Sequence, residues 1–208
     1  LEGEKISNFR LLRASKNRFG STDEIGIFEM KQKGLSEVKT PLVFLETDKK
    51  LEPGKAIVGV AEGKRPFFFE IQTLCVPTSL MNPRRVVKGL DFNKVQLLLA
   101  VIRKNLNLPL DSFDVFVNVV GGVSIKSTAA DLGFIASLIS SFKNIALPAN
   151  SLFVGEVGLL GEIRPSYMEE KIIEESKRLG FKKIYSSKTV KTVKEFNSII
   201  PGSPSSRG

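Results

Sequence analysis

The pattern of apolar and polar positions is most regular between residues 114 and 141. Residues 115–120 form a run rich in apolar and β-branched residues, which predicts a buried strand. Gly121-Gly122 ends it, where missing side chains permit positive φ and close backbone approach. Ser127 or Thr128 then caps a helix carrying Leu132, Ile135, Ala136 and Ile139 at i, i+3, i+4 and i+7, so one face is apolar and must pack. In many enzymes a nucleophile sits at such a strand-to-helix turn; this helix opens instead with Thr128, Ala129, Ala130 and Asp131. A second helix is predicted over residues 91–106, with Asp91 at its cap or first turn and Val95, Leu98, Leu99, Ile102 and Leu106 as its buried stripe. Two more follow, over 169–179 closed by Gly180 and over 190–200 stopped by Pro201.

Residues 56–61 and 66–76, with a turn at 62–65, predict a hairpin. Phe67 and Phe69 share one of its faces and Phe68 takes the other, so one face is expected inside and the other against a neighbouring subunit. Residues 81–89 predict a basic loop or short strand, and 151–158, 160–165 and 181–185 further short strands. Ahead of all these, residues 9–16, 24–30 and 35–38 suggest a small antiparallel hairpin closing a preceding unit. The polar stretch 46–55, containing Pro53-Gly54, is the best linker, which divides the chain into residues 1–45, a domain over 46–200 and a flexible tail over 201–208. Strands and helices mixed without steady alternation predict an α+β fold.

Composition narrows the chemistry. The chain has 208 residues, 42% hydrophobic and 25% charged, enough for one good core or two small ones. No apolar run approaches the ~20 residues that span a bilayer, and the N-terminus has no signal-peptide pattern, so a cytoplasmic protein without a membrane partner is expected. Because it begins at Leu1 and heads straight into a strand-like segment, a fragment of a longer protein is expected. One Cys and no His exclude an intrachain disulfide and argue against a zinc or imidazole site. The chain has no GxxxxGK[ST] loop, so nucleotide hydrolysis is not expected of it alone, and no catalytic residue, cofactor or metal is assigned to it.

The net charge of +9 favours an anionic partner, nucleic acid ahead of membrane, against the plainer reading of a solvated basic surface. Arg84, Arg85, Lys88 and Lys94 form the group best placed to follow a DNA backbone; a subunit interface or solvation is the competing account. Lys16 and Arg18, on an extended backbone beside Gly20, project to the same side ~7 Å apart, a spacing that suits phosphate.

Lys16-Asn17-Arg18-Phe19-Gly20, with residues 21–30 behind it, resembles the KNRFG signature of the bacterial RadA (Sms) family. Arg10-Leu11-Leu12-Arg13, Pro83-Arg84-Arg85, residues 89–94 and 114–118, Gly121-Gly122, Ala129-Ala130-Asp131-Leu132 and residues 155–164 agree with it. The resemblance implies a Lon-protease-like (ribosomal protein S5 domain 2-like) domain preceded by the terminal β-hairpin of a RecA-like ATPase core, with ATP, Mg and a zinc finger belonging to a missing N-terminal part. It implies a parent that is a hexameric, ATP-driven motor of recombination and repair, extending DNA branches beside the recombinase RecA. This part would assemble the homo-hexamer and hold single-stranded or branched DNA. The KNRFG residues Lys16, Asn17, Arg18, Phe19 and Gly20 would reach the nucleotide of the neighbouring subunit, as an arginine finger, or couple it to DNA.

The Lon likeness raises a rival, a serine-lysine peptidase. The resemblance places Ala129 where the Ser nucleophile would be and Glu170 where the Lys base would be, so both halves of the dyad are missing. A slip in register offers Ser127 with Lys171 instead, but a one-residue shift turns a helical side chain by ~100°, so Lys171 would face away from where Glu170 points. A third reading is an oligomerisation scaffold without DNA contact.

Overall fold

A computed structural model of the chain describes residues 51–200 and, ahead of them, four strands. These are β1 (Glu2–Ile6), β2 (Phe9–Arg13), β3 (Ile25–Lys31) and β4 (Gly34–Glu37), which form an antiparallel sheet in chain order. The expected hairpin is therefore a four-stranded meander. The sequence hid β1 because Glu2, Gly3, Glu4 and Lys5 carry no apolar alternation, and the strand is defined by its pairing with β2, from Glu2↔Arg13 to Ile6↔Phe9.

The remaining strands are β5 (Lys55–Glu62), β6 (Arg65–Pro77), β7 (Arg85–Lys88), β8 (Phe113–Val119), β9 (Ser151–Phe153), β10 (Glu156–Val157), β11 (Ile163–Arg164) and β12 (Lys183–Tyr185). Six of them make a mixed sheet in the order β12-β9-β5-β6-β8-β7, while β10 and β11 pair as a separate ribbon. β6 runs antiparallel to both β5 and β8; β9 and β12 on one side and β7 on the other are parallel to their neighbours. With helices α1 (Phe92–Leu106), α2 (Asp131–Lys143), α3 (Glu169–Arg178) and α4 (Val193–Ile199), this is a mixed arrangement compatible with α+β. No helix among the described residues is long and apolar enough to cross a membrane.

Local chemistry sets the helix ends. Asp91 Oδ1 accepts the Lys94 N–H at 2.7 Å and starts α1, as its position predicted. Gly180, at φ +92°, follows α3 as the expected left-handed residue. α4 begins at Val193, later than the apolar pattern suggested, because Thr192 Oγ1 accepts the Glu195 N–H at 3.1 Å and so takes the cap. The strand expected over 151–158 is broken into β9 and β10, and the break is tied to the segment before α2: Gly155 N donates to Ala129 O at 3.0 Å and Leu132 N to Gly155 O at 3.2 Å.

Two neighbouring residues of β5 show how the layers stack. A Cβ on Gly133 of α2 would lie 1.9 Å from Val58 Cγ1, whereas a Cβ on Gly59 would lie 2.3 Å from Ile172 Cγ2 of α3. Adjacent strand residues point to opposite faces, so α2 and α3 clasp the sheet from its two sides, each through a missing side chain. On the α2 side, Phe153 stacks on Tyr185 at 5.0 Å and Phe196 of α4 meets both edge-on at 5.8 and 5.6 Å. On the α3 side, Phe68 stacks on Phe181 at 5.6 Å and is fully buried. α3 and the loop after it cover that part of the sheet, a burial that stabilises the fold by roughly 2–3 kcal/mol for this one ring. Phe67 and Phe69 on the other face are buried too, which corrects the expectation that one of the two faces meets a neighbouring subunit here.

α2 also differs from its expected one-sided form. Every residue from Asp131 to Ser140 is buried. Its serines do not face water but fasten the ends of the hairpin: Ser137 Oγ lies 2.7 Å from Thr73 Oγ1, Ser140 Oγ accepts Gly54 N at 2.9 Å, and Ser141 Oγ accepts Cys75 N at 2.9 Å. Buried hydroxyls with partners cost little, so the serine side of α2 could go inside as readily as the leucine side.

Candidate functional site

The strand-to-helix turn is built as the sequence indicated. β8 ends at Val119, and Gly121 and Gly122 take φ of +84° and +70°, a conformation that disfavours any side chain. The chain then crosses beneath α1, where Ile125 N donates to Gly89 O at 2.7 Å, and Ser127 Oγ accepts the Ala129 N–H at 3.3 Å. A short 3-10 turn, Thr128–Ala130, leads into α2. Ala129 is wholly buried and presents only a methyl group. Thr128 Oγ1 donates outward to Glu156 Oε2 at 2.9 Å.

At the start of α3 the carboxylate that turns inward is Glu169. Its Oε1 accepts the Ser187 hydroxyl at 2.7 Å and its Oε2 the Ser166 N–H at 3.0 Å, with 4% of the residue exposed. Glu170, the expected position, points to solvent and pairs with Lys188 at 2.6 Å, and that ammonium holds its carboxyl below the usual range. Sequence reasoning missed Glu169, although Ser166 and Glu169 show the Ser-x-x-Glu spacing in which the acid reaches back to a backbone N–H. Lys171, the amine offered by a one-residue slip, donates to Lys64 O at 2.6 Å on the β5–β6 turn. Ser127 instead lines a cavity with Lys94, Asp131 and Phe134, so the slipped pair is held by different parts of the fold.

The four expected DNA-binding cations separate into two kinds. Arg84 grips the buried Asp114 carboxylate through its backbone N at 2.7 Å, Nε at 2.8 Å and a terminal nitrogen at 2.7 Å, and these bonds hold the Asp114 carboxyl below the usual range. Arg85 turns under the sheet end and donates to the carbonyls of Leu110, Phe113 and Arg84. Lys94 pairs with the buried Asp131 at 2.8 Å, and Asp131 also accepts Val157 N at 3.1 Å. Burial pushes the Asp131 carboxyl up to about 6 against the pull of these two partners. Lys88 alone of the four is exposed with no side-chain hydrogen bond or ion pair among the described residues. Arg84 still shows 64% of its side chain, so it and Lys88 are the members that face outward on one side of the sheet.

Lys16, Asn17, Arg18, Phe19 and Gly20 lie outside the described residues, as does the tail after residue 200.

No protein-family model matches the chain. It is similar to the DNA repair protein RadA of Haemophilus influenzae, 47% identical over 184 residues, and to that of Bacillus subtilis, 46% identical over 184 residues; in each case 88% of this chain and 40% of the relative are covered. The RadA of Streptococcus pyogenes is 46% identical over 188 residues, with 90% of this chain and 42% of the relative covered. The chain thus spans about two fifths of the length of the curated relatives it matches.

Proposed function

The chain belongs to the RadA (Sms) family, and from that membership we propose that it acts in DNA repair as the C-terminal part of an ATP-dependent branch-migration motor, assembling a hexamer and holding DNA without peptidase activity. The observation that carries this reading is the disarmed strand-to-helix turn. The turn presents the buried methyl of Ala129 and the start of α3 presents carboxylates; read as a Lon-like cradle, it has neither the nucleophile nor the amine. A frame kept without its chemistry suits packing and assembly.

In this reading residues 1–45 end the ATPase core and residues 46–200 form the Lon-like domain. The KNRFG residues, Lys16 and Arg18 foremost, couple the nucleotide of a neighbouring subunit to DNA. ATP, Mg and the zinc finger belong to the part of the protein that this chain does not include, and RecA is the partner at the branch. Arg84 and Lys88 touch DNA phosphates, while Arg85 and Lys94 hold the surrounding structure in place.

Mobility-shift binding of single-stranded and branched DNA, measured beside the solution mass of this chain, tests the proposal. Salt-sensitive binding together with a mass above the monomer supports it. A large assembly with no DNA binding would leave a scaffold, and a monomer that ignores DNA would remove both roles.

A further inference from the structure

The β6–β8–β7 part of the sheet has one face that no helix among the described residues covers. Along β6 that face begins with Phe68 and Glu70, both buried on the α3 side, and ends with Leu74 and Val76, which are 56% and 39% exposed. The other face of the same strands carries Ile71, Val115, Val117 and Val119, all buried on the α2 side. Among the described residues the open half is thus half a layer left without a lid.

Strand register arranges it in rows. Leu74, Phe116 and Val86 stand side by side across three strands. Next to them run Lys55, Gln72, Asn118 and Lys88 across four strands, two neutral amides with a lysine at each end, the Gln72 amide donating to Glu70 at 2.8 Å. Arg84 lies beyond the apolar row, 5.9 Å from the Phe116 ring centre and held there by Asp114. A groove of about 590 Å³ follows these rows, lined by Leu74, Val86, Phe116, Gln72, Asn118 and Lys88.

We propose that this face is a stacking platform for single-stranded nucleic acid, with an unpaired base on Phe116 and phosphates at Lys88 and Arg84. The inference rests on the DNA-holding role above and names the form of DNA and its seat. Charge complementarity selects the occupant. Lys88 is the exposed cation of the face, Arg84 keeps 64% of its side chain exposed while it matches the buried Asp114, and Lys55 at the far end of the polar row is matched by Glu52 and Glu70. An aromatic ring with flanking aliphatic side chains offers a surface to the face of a base, and the Arg84 guanidinium over the ring is a second planar group on which a base can stack. Gln72 and Asn118 can meet base edges or sugar hydroxyls without adding charge. A paired duplex presents no free base faces and so cannot use the apolar row.

The chain and its Phe116→Leu and Lys88→Ala variants are titrated with a labelled oligothymidylate and with a blunt duplex of equal length, beside their solution masses. The single strand should bind more tightly than the duplex. Phe116→Leu should weaken it about ten-fold, and Lys88→Ala should reduce the slope of log affinity against log salt by ~0.7. A 5-iodouridine cross-link landing on Phe116 in the unaltered chain supports the platform even if Phe116→Leu melts early. Binding that survives both substitutions unchanged, or a duplex held as tightly as the single strand, overturns the platform and leaves the DNA-holding role standing elsewhere on the chain. An unaltered chain that binds no DNA sinks both. A Phe116→Leu variant changed in mass but not in affinity would mean that a second copy covers the face, which also overturns the proposal.

Discussion

Asp131 sits where one acid does two jobs, at the first turn of α2 and at the foot of β10. Its carboxylate is 5% exposed and takes both the Lys94 ammonium and the Val157 N–H, and its pKa is raised to about 6 because burial outweighs those partners. The folded protein therefore holds this proton more tightly than the unfolded chain, whose carboxyl titrates near 3.8. Such a group contributes stability that is full below about pH 4 and is lost as pH rises through 6. Asp131→Asn removes the titrating group, so thermal or denaturant melts should show wild type losing up to about 3 kcal/mol relative to the variant across that window. A gap that stays constant with pH would contradict the raised value. The sequence indicated the acid at a helix start but not its depth, because depth depends on α1 and β10, which arrive from distant parts of the chain. The same holds at α3, where a helical turn of one residue separates the buried Glu169 from the solvated Glu170.

Among elements, the contact of α2 with β5 turns on Gly133. In an exposed helix, replacing such a glycine with alanine gains ~1 kcal/mol from propensity. Here the new Cβ would lie 1.9 Å from Val58 Cγ1 and 3.5 Å from Phe153 Cβ. Overpacking of that kind costs about 1–3 kcal/mol or more, so packing should win and Gly133→Ala should lower the denaturation midpoint. Val58→Ala in the same chain should restore part of the loss, read as a coupling of about 1 kcal/mol in a double-mutant cycle; strict additivity would place the strain elsewhere. The hairpin β5–β6, the caps at Asp91 and Gly180 and the turn at Gly121-Gly122 were legible because each is a local event. The parallel pairings of β7 and β9 were not, since three or four residues carry too little pattern to announce a neighbour brought in by a crossover.

For the molecule as a whole, the RadA reading makes two demands. Lys16→Ala or Arg18→Ala in the full-length protein should depress ATP hydrolysis or DNA unwinding while the melting curve stays that of wild type; unchanged rates in both assays would remove the coupling role. A serine-directed fluorophosphonate should leave this chain unlabelled, since Ser127 and Lys171 are fastened to different places; labelling that disappears in Ser127→Ala would revive the peptidase. The family resemblance was legible in short motifs spread from Lys16 to Arg164, whereas the split of the basic group into outward and inward members needed the fold, because Arg85 and Lys94 look as free in sequence as Lys88 does.

The strand order also bears on how the protein is made. β5 finds β6 at once through a tight turn, but its other flank waits for β9, and β9 in turn waits for β12 near the end of the chain. Until then a growing polypeptide carries an unpaired strand edge bearing Val58 and Val60, the kind of edge that recruits other chains. Ribosome-bound chains released before residue 151 should therefore aggregate, and chains carried past Tyr185 should not.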